Sequence, residues 1–131
     1  MKNQQGYIAL MSLIIVSVLV VLIVSSANLL SISESGMGLQ ENQGWAAYYL
    51  ANACAEDALM KLKNDLNYNG NETLIFDNGN CTIELLEGVE NENRIIKTLG
   101  TAYNQVRKIR IEINRVNPDT EIKTWQEVTI F

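Results

Sequence analysis

The sequence contains no histidine. That absence removes imidazole general-base chemistry, His-based metal ligation, and the Ser-His-Asp and Cys-His nucleophile systems. Cysteine is nearly as scarce, with only Cys54 and Cys81. Cysteine-built zinc sites need more ligands than two. A lone pair on the far side of a membrane reads most simply as one disulfide. Proline occurs once, at Pro118, in the turn 117–119. Basic residues are few where they would matter. All 15 acidic residues, but only nine of the ten basic ones, follow Ser33. That balance argues against direct nucleic-acid binding, which needs a basic face, and against docking on anionic lipid through a polybasic patch. There is no Gly-rich phosphate loop, and adjacent carboxylates such as Glu56 and Asp57 point apart on a helix. Nothing converges into a catalytic set, so the expectation is a non-enzyme that needs no cofactor.

Charge is missing from another place, and there its absence is informative. No charged residue lies between Lys2 and Glu34, and residues 8–24 are apolar except for Ser12 and Ser17. An apolar run of about 17 to 25 residues crosses a bilayer core as a helix. Lipid offers the backbone no hydrogen-bond partners, so an isolated span should be helical. Lys2 and the terminal amine precede the run, and Glu34 and Glu41 follow it. The positive-inside rule then places the N-terminus in the cytoplasm and the bulk of the chain outside. Ser25, Ser26 and Ala27 form a small-residue site of the kind a signal peptidase cuts. The run is long for a secretory signal, however, and Leu29, Leu30 and Ile32 carry the pattern past that site.

The start of the chain, MKNQQG followed by Tyr7-Ile8-Ala9-Leu10-Met11, resembles the start of a type IV prepilin or pseudopilin. In that family a short basic leader ends in glycine. A dedicated inner-membrane peptidase cleaves after the glycine and methylates the new N-terminus. The resemblance implies processing between Gly6 and Tyr7. Most members carry glutamate at the fifth residue after the cut, thought to pair with a neighbouring subunit's N-terminal amine. Here that residue is Met11, which cannot neutralise a buried ammonium. The departure is similar to the K-type pseudopilins and to some minor pilins at filament tips. At this length the better match is a short minor pilin of the pilus-assembly X-like kind. The implied partners are other pilin or pseudopilin subunits contacted through the helix, the prepilin peptidase, an inner-membrane assembly platform and membrane lipid. The implied location is a single-pass cytoplasmic membrane protein with an extracytoplasmic C-terminal domain, able to enter a surface filament of a pilus or a type II secretion machine. The alternative is a membrane-anchored binding or adhesion module with no part in assembly.

Beyond the apolar run, Gly36, Gly38 and Gly44 each cost a helix interior about 1 kcal/mol against alanine. Residues 34–44 are therefore either a melted stretch or a tolerant, solvated helix. Helical pattern resumes over 45–66. Ala47, Leu50 or Ala51, Cys54, Ala58 and Leu62 mark one apolar face, and Asp57 and Lys61 form an i,i+4 pair. Trp45, Tyr48 and Tyr49 cluster at its start, as an interfacial belt, a subunit contact or simple helix packing. Asp65, Asn67, Asn69 and Gly70 match the first half of a calcium loop, but the position for the bidentate glutamate is Phe76. A helix cap and turn explain the same residues.

The rest reads as β: a strand over 73–77, a hairpin at Asn78-Gly79, then Cys81, Ile83 and Leu85 alternating inward. A polar turn over 87–93 carries Glu87, Glu90 and Glu92. Strands over 93–102 and 105–116 follow, joined at Tyr103-Asn104, with Ile109, Ile111 and Ile113 on the inner face. A last strand covers 122–131. The expected fold is α+β, a long N-terminal helix packed on a small antiparallel sheet in the pilin-like layout. Its parts are a leader 1–6, a transmembrane or assembly helix 7–33, an extracytoplasmic helical continuation 34–66 and a sheet domain 67–131.

Overall fold

The computed structural model describes residues 2–131, with side-chain burial described from Gly6 onward. Met1, and the side chains of the other leader residues before Gly6, lie outside the described residues. One helix, α1 (Lys2–Asn64), precedes five strands: β1 (Gly70–Phe76), β2 (Gly79–Leu85), β3 (Glu92–Ala102), β4 (Gln105–Arg115) and β5 (Glu121–Val128). The chain divides into two compact units, one reaching to Leu39 and the other Gln40–Phe131. The first is helix alone. The second is an α+β domain, the C-terminal part of α1 packed on the sheet.

Helix α1 runs unbroken through Gly36, Gly38 and Gly44, so the melted alternative for 34–44 is not the form adopted. Extending an existing helix adds one hydrogen bond for each residue fixed, which offsets part of each glycine's cost. Gly44 has a further role. A Cβ there would lie 2.9 Å from Nη2 of Arg107, so the missing side chain leaves room for a guanidinium. The helix ends at Asn64, slightly before the expected Leu66. There the Asp65 N–H donates to the Lys61 carbonyl (2.8 Å) and the Tyr68 N–H to the Asp65 carbonyl (3.0 Å).

The sheet is a meander, ordered β1-β2-β3-β4-β5, with every neighbouring pair antiparallel. Strict alternation puts Ile96 and Thr98 of β3 and Ile109, Ile111 and Ile113 of β4 on the buried face. Ala47, Leu50, Ala51, Cys54, Ala55, Ala58 and Leu62 of α1 cover that face. Both candidates at the second position of the helical face, Leu50 and Ala51, are buried, and Ala55 joins them. Four alanines let the helix lie close to the sheet, and the closest approach is at β3. A Cβ on Gly100 would stand 2.1 Å from the Ala47 carbonyl oxygen and 2.5 Å from the Ala51 nitrogen. Beside it the buried Thr98 hydroxyl donates to the Ala51 carbonyl at 2.8 Å.

The first strand begins earlier than expected, at Gly70, and the last ends earlier, at Val128. Two further local expectations need correction. The first hairpin turns at Asp77-Asn78, because Phe76 pairs with Gly79 and Gly79 already opens β2. Gly79 sits where a Cβ would meet the Thr101 carbonyl oxygen at 2.1 Å, so its glycine serves a close approach to β3. Leu85 does not continue the inward set of Cys81 and Ile83. It is 63% exposed, and Leu86 is buried instead at 7%. Alternation stops at the end of β2, where the Leu86 N–H donates to the Asn69 carbonyl (2.9 Å) and turns that side chain inward.

Arg94 is a charged residue in the core, 3% exposed. Its Nη1 donates to the carbonyls of Leu66 (2.8 Å) and Glu90 (3.1 Å), and its Nη2 to that of Tyr68 (3.0 Å). One guanidinium thus collects orphan carbonyls from the α1–β1 and β2–β3 connections. Burial lowers its pKa from the ordinary guanidinium value, and it remains charged.

Candidate functional site

The first unit presents the plainest functional surface. From Tyr7 to Leu39 every large apolar side chain of α1 is exposed, all the way round the helix. A helix apolar on every side needs apolar surroundings, either a bilayer or other helices. The length and composition of α1 suffice to cross a membrane. The four serine hydroxyls between Ser12 and Ser26 are satisfied within the helix. Ser12 donates to Ala9 and Ser17 to Ile14, both at 2.8 Å, and Ser25 to Val21 and Ser26 to Leu22, both at 2.7 Å. Lipid demands that internal accounting. Gly6, Tyr7 and Met11 all lie in this exposed helical segment, and nothing stands within 4 Å of a Cβ built on Gly6.

An arginine at the middle of this span tests the membrane role. Val20→Arg should cost insertion about 3 kcal/mol. The expected result is a raised fraction of chain extracted from membranes by alkaline carbonate, with wild-type chain staying in the pellet.

In the second unit Cys54 of α1 and Cys81 of β2 form a disulfide, both fully buried, with Cα atoms 6.1 Å apart. The bond therefore ties helix to sheet from inside the core. The calcium-like residues are committed to the chain reversal. Oδ1 of Asp65 accepts the Asn67 N–H at 2.9 Å, and the Asn69 carbonyl accepts from Leu86. Among the described residues, no group of three or more acidic, Cys or His side chains is placed to share a metal ion. Glu87, one of the three turn carboxylates, pairs with Lys97.

An ionic cluster fixes the end of α1 to β1. The Lys61 ammonium lies 2.8 Å from Asp57 and 2.6 Å from Glu72, and the Tyr68 hydroxyl donates to the same Glu72 carboxylate. The Lys61 hydrogen bond, and then that of Tyr68, hold the Glu72 carboxyl below its ordinary range. The contacts to Asp57 and then Glu72 raise Lys61, while burial and then Glu72 raise Tyr68. A carboxylate with a depressed folded-state pKa stabilises the fold above its unfolded value of 4.5, and that contribution disappears as pH falls through the folded value. Partial exposure of the cluster keeps the effect near 0.5 kcal/mol. Urea midpoints of the wild-type chain in micelles should therefore drop on acidification below that unfolded value, and Glu72→Gln should shrink the drop.

The aromatic trio forms a packed group. Trp45 and Tyr48 meet edge to face with centroids 5.6 Å apart, and Tyr49 lies 5.9 to 6.1 Å from both. Tyr48 also packs against the core, while Trp45 and Tyr49 remain exposed. Arg107 of β4 lies against Gly44 and forms an ion pair with Glu127 of β5 at 2.9 Å. Trp125 of β5 donates from Nε1 to Oδ1 of Asn52 on α1 at 2.9 Å. No local pattern signals the Arg107 and Trp125 contacts, which join residues far apart in the chain. Arg94 was open to detection, because it has the same strand parity as the inward Ile96 and Thr98.

Together these features define a single-helix α+β protein. Its helix is long and apolar enough to cross a membrane, and a disulfide ties its sheet domain to that helix. No family model, no curated protein and no solved structure matches the chain.

Proposed function

We propose that the chain is a minor pilin or pseudopilin, a structural subunit of a type IV pilus or a type II secretion-like filament, placed at or near the tip. One observation carries the reading: a single continuous helix joins a wholly exposed apolar segment to a face that covers a disulfide-tied sheet. The apolar segment holds the subunit in the cytoplasmic membrane, N-terminus inward, until a separate cytoplasmic ATPase drives its transfer into the filament. There the helices of neighbouring subunits replace lipid around it. Gly6 and Tyr7 flank the processing site. Met11 removes the carboxylate that would pair with a neighbour's N-terminal amine, and a tip subunit has no subunit ahead of it to pair with. The protein acts by assembly, without catalysis.

N-terminal sequencing and intact mass of the membrane-extracted protein test the reading. A mature chain beginning at methylated Tyr7 is expected. An intact Met1, or a start near Asn28, overturns it, and labelling along the whole length of purified filaments overturns the tip position. The second reading, an anchored binding module, draws its support from a cavity beside Trp45 and Arg107.

A further inference from the structure

A cavity of about 220 Å³ lies between α1 and the β4–β5 edge of the second unit, lined by Glu41, Gly44, Trp45, Tyr48, Arg107 and Glu127. Its aromatic wall is a corner. The rings of Trp45 and Tyr48 stand at 88° to each other with centroids 5.6 Å apart. Both rings line the cavity, and an aromatic ring face attracts a weakly hydrated cation. The one cation already present is committed elsewhere. Arg107 pairs with Glu127 at 2.9 Å, and its guanidinium fills the notch left by the missing side chain of Gly44. Glu41, by contrast, makes no ion pair among the described residues. The lining carries two carboxylates against one guanidinium, so an uncompensated negative charge lies beside the aromatic corner.

We infer that this cavity binds an alkylammonium group, either on a small free ligand or as the headgroup of a zwitterionic lipid. Methylated nitrogen suits it best, because its charge is diffuse and loses little hydration against Trp45 and Tyr48, while Glu41 supplies the counter-charge. A compact, strongly hydrated ion such as sodium gains nothing from the rings. An anion meets Glu41 and an arginine that is already neutralised. The inference does not depend on filament assembly.

The two tryptophans give the experiment an internal control. The ¹⁵N-labelled full chain in dodecyl maltoside, a detergent without ammonium, is titrated with tetramethylammonium chloride and, at matched ionic strength, with sodium chloride. The Trp45 indole resonance should move saturably with tetramethylammonium alone, and that of Trp125 should stay in place. Glu41→Gln changes an exposed side chain and leaves the fold intact. It should weaken binding roughly three- to fivefold, as should Tyr48→Leu, while Tyr48→Phe keeps most of the affinity. Nanodiscs of phosphatidylcholine and of phosphatidylglycerol separate the two sources. A Trp45 shift in the former alone, without added salt, identifies a lipid headgroup, and a response only to the free ion identifies a soluble ligand. Equal responses to sodium and tetramethylammonium, no response to the free ion or to phosphatidylcholine, or affinity unchanged in Glu41→Gln overturns the assignment.

Discussion

Gly100→Val should abolish cooperative unfolding of the sheet domain. By strand propensity alone the substitution would help, since valine suits a central strand and glycine weakens one, an expected gain of up to about 1 kcal/mol. Packing reverses the sign. The first added carbon would already lie 2.1 Å from the Ala47 carbonyl oxygen and 2.5 Å from the Ala51 nitrogen. Those are backbone atoms of a helix held in place by Cys54 and by the Thr98–Ala51 hydrogen bond, so no side chain can rotate away. Overpacking a core costs about 1 to 3 kcal/mol where side chains can adjust, and more where they cannot. A loss of about 4 kcal/mol or more consumes most of the stability of a small domain. Gly100→Ala should lie between the two forms, because its single carbon meets the same atoms. Thr101→Val, one residue along on the opposite face, should be nearly neutral. Urea titrations followed by near-ultraviolet circular dichroism of the full chain in micelles measure all three. A Gly100→Val protein as stable as wild type would mean that the helix crosses the sheet elsewhere.

The same crossing shows how far the sequence alone could be taken. Hydrophobic spacing located the helical face at Ala47, Leu50 or Ala51, Cys54, Ala58 and Leu62, and alternation located the inner face of β4. Both are local periodicities, and any contiguous window contains them. The remaining features depend on which residues meet across the fold. Gly100 reads as a weak point in a strand until Ala47 is seen above it. Gly44 reads as a helix breaker until Arg107 is seen filling its notch. Leu85 and Leu86 exchanged roles because a backbone hydrogen bond from Leu86 to Asn69 ended the alternation one residue early. The Glu72 cluster falls between these cases. Its i,i+4 half, Asp57 with Lys61, is local and was visible. Its strand half, Glu72 with Tyr68, depends on how β1 returns to the helix. The candidate cavity is the extreme case, since its walls come from three elements and only its α1 members, Glu41, Gly44, Trp45 and Tyr48, are near one another in sequence.

The disulfide should prove the second large contribution, and its removal a test of how the helix is held. Cys54 and Cys81 are 27 residues apart. Closing a loop of that size in the unfolded chain contributes about 3.5 kcal/mol in the chain-entropy treatment. The double variant Cys54→Ala/Cys81→Ala should therefore unfold at a markedly lower urea concentration. Cys54→Ser/Cys81→Ser should lose about 1 to 3 kcal/mol more, because each hydroxyl would enter a fully buried site and pay for desolvation without an assured partner. The ordering Cys, Ala, Ser separates this account from one based on volume alone, in which serine and alanine would behave alike. Reductant should reproduce the alanine result in the wild-type chain only after unfolding, since both sulfurs are shielded from solvent in the folded domain. If the alanine pair melts within about 1 kcal/mol of the oxidised chain, the unfolded state is already compact enough that the tie adds little. The alanine face over Gly100, together with the Thr98 hydrogen bond, then holds the helix on its sheet.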